Sequence, residues 1–192
     1  MEKIETPENE QINGDNPFIT EPEVSLGKNA LIYGAILGGI NVVYSIMLWV
    51  FGLSLNKSLG YISFIFIIGV MYYGTKEYRD KHHGGYIIYG TAFTSNFLIS
   101  FYSYIILAVY SFFLYKFIDP GLIDTIKQTA IEAAMQKNPN VTQEQIEKGM
   151  SMFSFFMTPL GIAISALLGG SLVSALLALI VSIFHKKEMP LV

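Results

Sequence analysis

Four stretches of this chain contain no Asp, Glu, Lys or Arg: residues 29–56, 58–75, 82–115 and 149–184. An apolar run of about 18 residues with few charges is already long enough to be a transmembrane candidate. Here there are four such runs in 192 residues. Composition points the same way: 52% of the residues are apolar and only 14% charged. A soluble domain carries about 25% charged residues, because its surface must face water. The class these blocks define is an all-α integral membrane four-helix bundle.

The chain has no cysteine, which removes disulfides, thiolate metal sites and a Cys nucleophile together. Net charge is −3, with the acid excess concentrated near the start, where Glu2, Glu5, Glu8, Glu10, Asp15, Glu21 and Glu23 face Lys3. No basic patch for nucleic acid is present. The acidic opening, with no apolar region before residue 30, is unlike a secretory signal peptide. Residues 1–27, with Pro7, Pro17 and Pro22 and few large apolar groups, read as a disordered acidic tail. Such a tail is either simply solvated or an acidic docking arm.

The expected spans are residues 30–53, 58–73, 86–117 and 158–184 of a transmembrane domain covering 28–187. Trp49 and Phe51 near one end of span one, and Tyr33 near the other, suit interfacial positions. Span two, at about 16 residues, is shorter than the usual ~17–25. The turn Ser54-Leu55-Asn56-Lys57 makes spans one and two antiparallel neighbours. Lys76 to Gly85 reads as a compact polar loop closed by a glycine pair. Span three is long for a bilayer, so it either tilts or begins with an interfacial turn or two.

Residues 119–150 interrupt the hydrophobic pattern and form an extramembrane helical insert. Asp119-Pro120 fits an N-cap followed by proline at the first helical position. Leu122, Ile126, Ala130 and Ala133-Ala134 recur at helical spacing, and Asn138-Pro139-Asn140 ends that helix. Thr142 and Gln145 match a capping box that starts a second one. Two readings stand for this hairpin: a solvated pair of helices, or a cap lying on the membrane interface. Pro159 either begins span four or kinks a longer helix. Residues 188–192 are a short tail.

Four spans place both ends of the chain on one side, with Lys3, Lys28, Lys76, Arg79, Lys81, Lys186 and Lys187. The other side has Lys57, Lys116, Lys127, Lys137 and Lys148. The positive-inside rule then puts both termini in the cytoplasm and the insert outside.

Tyr78-Arg79-Asp80, followed by Gly84-Gly85-Tyr86-Ile87 and Tyr89-Gly90-Thr91-Ala92, resembles a motif of a family of uncharacterised bacterial membrane proteins, a domain of unknown function. Phe117-Ile118-Asp119-Pro120-Gly121-Leu122-Ile123-Asp124 resembles its second motif, and Gln145-Ile146-Glu147 before a proline-headed last span is similar too. The resemblance covers about residues 25–187. It implies a four-span helical membrane protein, and the expected location is the bacterial cytoplasmic (inner) membrane. It implies no activity and transfers no functional residue.

Ionisable groups at membrane depth mark proton relays and ion sites, and the expected spans contain no Asp, Glu, Arg or His. Asn41 and Asn96 are the strongest polar residues there. Each either seeks an interhelical hydrogen bond or coordinates a ligand. Gly34 and Gly38 form a GxxxG, and Gly161, Ser165 and Gly169 repeat small residues every four positions. Such rows serve close packing within one bundle or a homo-oligomer seam. Thr94, Asn96, Ser100 and Ser103 make the first half of span three polar. His82-His83 lacks the spacing of a helical zinc pair, and no catalytic, cofactor or metal motif is present. Two functions lead as expectations, ahead of an intramembrane enzyme, which absence of a motif alone does not remove. The first is a non-enzymatic membrane component whose partners are the lipid bilayer and itself or another membrane protein. The second is a small permease or channel with a polar path through Asn41, Thr94, Asn96, Ser100 and Ser103.

Overall fold

The computed structural model describes residues 24–138 and 141–187. The acidic stretch 1–23, the Pro139-Asn140 break and the 188–192 tail lie outside the described residues. Seven α-helices follow in order: α1 (Leu26–Val50), α2 (Lys57–Gly60), α3 (Ile62–His82), α4 (Tyr89–Phe113), α5 (Leu122–Lys137), α6 (Gln143–Ser151) and α7 (Pro159–Ile183). Among the described residues four segments are long and apolar enough to cross a membrane: α1, α2 with α3, α4 with its following turn, and α7. The architecture is an all-α four-helix membrane bundle, with α5 and α6 as the insert between the third and fourth spans.

Helix α4 is the centre of the bundle, packing against α1, α3 and α7. The core comprises Ala30, Leu37, Ile67, Met71, Ile99, Ala178 and Val181. Many other large apolar side chains point outward: Val43 is 59% exposed, Ile65 67% and Leu172 71%. In water this would be a severe liability, but lipid tails are as apolar as leucine. Around that core the bundle also buries small or polar residues: Gly34, Gly38, Asn41, Ser95, Asn96, Ser100, Ser103 and Ser174. Helix association in lipid rests on this kind of close packing and hydrogen bonding.

The polar stretch from Lys76 to His82, predicted as a loop, is instead the last two turns of α3. The second span is therefore not short: Lys57 to His82 gives 26 residues, about 39 Å at ~1.5 Å per residue. That exceeds a ~30 Å hydrocarbon core, so the charged turns emerge from it while the helix continues. Gly84 and Gly85, at φ +61° and +84°, end it where a side chain would be strained. Tyr86 to Ile88 is not helical either. Ile87 and Lys187 exchange two backbone hydrogen bonds of 3.0 Å, tying the entry of α4 to the exit of α7.

The start of the insert also differs from expectation. Helix α5 begins at Leu122 after Gly121, and Asp119 does not cap it. A π-helical turn, Leu114–Ile118, prolongs α4. It delivers the Asp119 carboxylate to Trp49, whose indole Nε1 donates to it at 3.0 Å. The capping box at Thr142 and Gln145 forms as predicted. Pro159 opens α7 at its first turn, with Thr158 as N-cap.

Candidate functional site

The bundle has two unlike ends. One holds the start of α1, the end of α3, the start of α4 and the end of α7, together with Lys28, Lys76, Arg79, Lys81, Lys186 and Lys187; it is the basic end. The other carries the insert. Polar side chains concentrate in the half of the interior nearest the basic end.

There a directional hydrogen-bond chain crosses three helices. The Thr75 hydroxyl of α3 donates to Asn96 Oδ1 of α4 at 2.8 Å and lies 2.9 Å from Ser95 Oγ. Asn96 Nδ2 donates to Ser182 Oγ of α7 at 3.0 Å, and Ser182 donates to the Ala178 carbonyl at 2.5 Å. Thr75, Ser95, Asn96 and Ser182 are fully buried. The remaining span, α1, joins through Asn29, whose Nδ2 donates to the Gly74 carbonyl at 3.1 Å. One turn towards the basic end, Tyr33 OH donates to the Glu77 carboxylate, which also accepts from Lys81 at 3.1 Å. Sequence reading singled out Asn96 here and missed Asn29, Thr75, Glu77 and Ser182. Glu77 was hidden inside the supposed loop. Thr75 and Ser182 carry no signal until their neighbours are known.

His185 closes this end. The residue is 1% exposed, and its ring packs at a 37° tilt against Tyr72, with centroids 4.8 Å apart. Its backbone carbonyl accepts from Arg79 Nη1 at 3.4 Å, while Arg79 Nε donates to Asp80 at 2.6 Å. Neither ring nitrogen has a hydrogen-bond partner among the described residues. Burial first, then the positive charges of Arg79 and Lys76, push its pKa down from 6.5 to about 4, against an opposing pull from Asp80. Between those values the unfolded chain binds a proton that the folded one refuses. Stability therefore rises with pH across that window, is complete above 6.5, and is lost as pH falls towards 4. We expect the denaturation temperature in detergent to drop on acidification through this window. The drop should be smaller in His185→Gln, and equal drops in the two proteins would remove His185 as the cause.

The other predicted site residues fall into two groups. Asn41 is buried, but its amide donates to the Leu37 carbonyl of its own helix at 3.0 Å. Ser100 donates within α4, to the Phe97 carbonyl at 2.8 Å, and Ser103 is buried. Thr94 is exposed and bonds back to Gly90. The predicted path residues thus divide between interhelical bonds, bonds within one helix and the outer surface.

The small residues also separate. A Cβ at Gly34 would lie 2.6 Å from the Cβ of Tyr102 and 2.8 Å from the Ile99 carbonyl oxygen; one at Gly38 would lie 2.8 Å from Ile106 Cδ1. Both glycines are the contact of α1 with α4. Gly161 faces the Phe155 carbonyl and the Phe156 backbone just before its own helix. Ser165 and Gly169 are exposed, and Gly169 has open space beside it. The row at every fourth position is therefore not one continuous interior seam.

His82 and His83 both lie against Tyr78, with ring centroids 6.2 and 5.3 Å apart. Among the described residues no group of three or more His, Cys, Asp or Glu is placed to hold a metal ion. At the opposite end, a groove of about 670 Å³ runs between α5 and α6, lined by Asp124, Lys127, Gln143, Glu147 and Met150 among others.

Four long apolar helices around a small, polar, hydrogen-bonded interior define a multi-pass helical membrane protein. Within that class the chain belongs to a family whose description is Protein of unknown function (DUF4199), matched over residues 32–187. No curated protein and no solved structure shows significant similarity to it.

Proposed function

We propose that this chain is a non-enzymatic membrane component that acts through contacts, with itself or with a second membrane protein. The observation that carries this reading is where the deep polar groups go. Thr75, Ser95, Asn96 and Ser182 bond one another across helices and are buried from any solute. A permease path along the third span needs those groups to line water, so they support the contact reading over the permease.

Of the two small-residue rows, only part is left for association. Gly34 and Gly38 are covered by α4, while Ser165 and Gly169 stand exposed on α7 beside Leu168 and Leu172. Enlarging Ser165 and Gly169 to Leu, in protein extracted gently from its own membrane, is expected to weaken association read by native mass spectrometry, with the denaturation temperature kept. Unchanged association in that double variant would overturn the α7 surface as the contact. Solute flux from reconstituted vesicles would overturn the contact reading in favour of the permease.

The orientation belongs to the same proposal. Lys28, Lys76, Arg79, Lys81, Lys186 and Lys187 gather at one end of the bundle, which the positive-inside rule assigns to the cytoplasm. We infer that both termini are cytoplasmic and the insert is external. The resemblance to bacterial membrane proteins supports the bacterial cytoplasmic membrane as the site.

A further inference from the structure

Between α6 and α7 the chain makes a 3-10 turn, Ser154–Met157, preceded by Met152 and Phe153. Among the described residues its apolar side chains are left about half or more exposed: Met152 is 83% exposed, Phe153 60%, Phe155 50% and Phe156 48%. The turn is nevertheless firmly built. Thr158 donates to the Phe155 carbonyl at 2.7 Å and accepts from Gly161 N–H at 3.0 Å. The close approach of Phe155 and Phe156 backbone to Gly161 leaves no room for a Cβ there. Gly161 is thus the residue that lets the aromatic turn fold down on the first turn of a membrane span.

Its position determines what covers it. Pro159, two residues beyond Met157, begins α7, one of the spanning helices. The insert ends of the other spans carry exposed aromatics too: Phe51 after α1, Tyr61 before α3, and Phe113 and Phe117 at the end of α4. Interfacial aromatics of this kind mark the boundary between headgroups and acyl chains. The 152–157 turn continues that belt. We propose that it is a membrane hook, inserting Phe153, Phe155 and Phe156 into the leaflet on the insert side and holding the α5–α6 hairpin down on the lipid surface. The occupant of this apolar face is the bilayer itself, and the proposal rests on the membrane-spanning reading of α7.

Because the sequence contains no cysteine, single cysteines placed in the full chain can be spin-labelled without background. We would label Phe153→Cys, Phe156→Cys, Leu172→Cys and Gln143→Cys in turn, in vesicles of phosphatidylethanolamine and phosphatidylglycerol. Collision with oxygen reports lipid, and collision with a water-soluble nickel chelate reports solvent. The expected result is an oxygen-to-nickel ratio at 153 and 156 several-fold above that at 143 and below that at 172, which lies near the middle of α7. Ratios at 153 and 156 equal to that at 143 would overturn the hook, as would protection from both reagents, which would mean a protein partner covers the turn. If position 172 itself reads as solvent, the spanning assignment of α7 fails, which is a different result from failure of the hook alone.

Discussion

Gly34→Leu is expected to be among the most damaging single substitutions in the bundle, and to act on folding before it acts on association. The first added carbon already meets the Cβ of Tyr102 and the Ile99 carbonyl within 2.8 Å. One of those obstacles is backbone of the central helix, which cannot swing aside like a side chain. Overpacking a close interface costs about 1–3 kcal/mol and occasionally more; a backbone obstacle puts this case at or above the upper figure. The clash would also separate α1 from α4, and with it loosen the Asn29 bond to Gly74 and the Tyr33 bond to Glu77. The measurement is the resistance of detergent-solubilised protein to denaturation, alongside its oligomeric state. A variant as stable as the parent but newly monomeric would show that Gly34 faces another copy of the chain, contrary to its place against α4. Gly169→Leu is the matched control, since open space lies beside that glycine, and its stability should stay near the parent value.

The contrast between these two glycines shows what could and could not be read in the sequence. Spacing shows that Gly34 and Gly38, or Gly161, Ser165 and Gly169, share a helix face. It does not show what lies opposite that face, and the answers are different: α4 for the first pair, a preceding turn for Gly161, and no protein for Gly169. The four charge-free blocks, by contrast, predicted the four long helices because lipid imposes one solution on any apolar run of that length. Local signals written within a few residues also held, such as the capping box at Thr142 and the proline-headed start of α7. Lys76 to His82 is helical where its charge suggests a loop. The charges leave the hydrocarbon, but Lys, Glu and Arg are good helix formers, and nothing stops the helix before Gly84 and Gly85. The loop expectation hides Glu77 as the partner of Tyr33. Asp119 failed for a related reason: a carboxylate before proline suits a cap, but a tertiary partner, Trp49, took it.

The second large effect is expected at Asn96→Leu, where side-chain size is roughly kept and two interhelical bonds are lost. Interhelical hydrogen bonds in a membrane protein contribute on average about 0.6 kcal/mol each and at most about 1.7. Losing the bonds to Thr75 and Ser182 should therefore cost about 1–3 kcal/mol. The lower part of that range is favoured by the geometry, because neither partner is left bare. Thr75 keeps Ser95 at 2.9 Å, and Ser182 keeps the Ala178 carbonyl at 2.5 Å. Asn41→Leu separates this from the generic effect of removing an amide at membrane depth. Asn41 bonds only to its own helix at Leu37, so its replacement should change stability by roughly 0.5 kcal/mol or less, as for substitutions that remove no interhelical bond. A double-mutant cycle of Asn96→Leu with Ser182→Ala then isolates the contact between α4 and α7. Non-additivity comparable to one such bond is the expected outcome. Strict additivity, or an Asn41 effect as large as that of Asn96, would mean the buried polar chain does not hold the helices together. In that case those groups would be free for a different role, and the permease reading would regain its case.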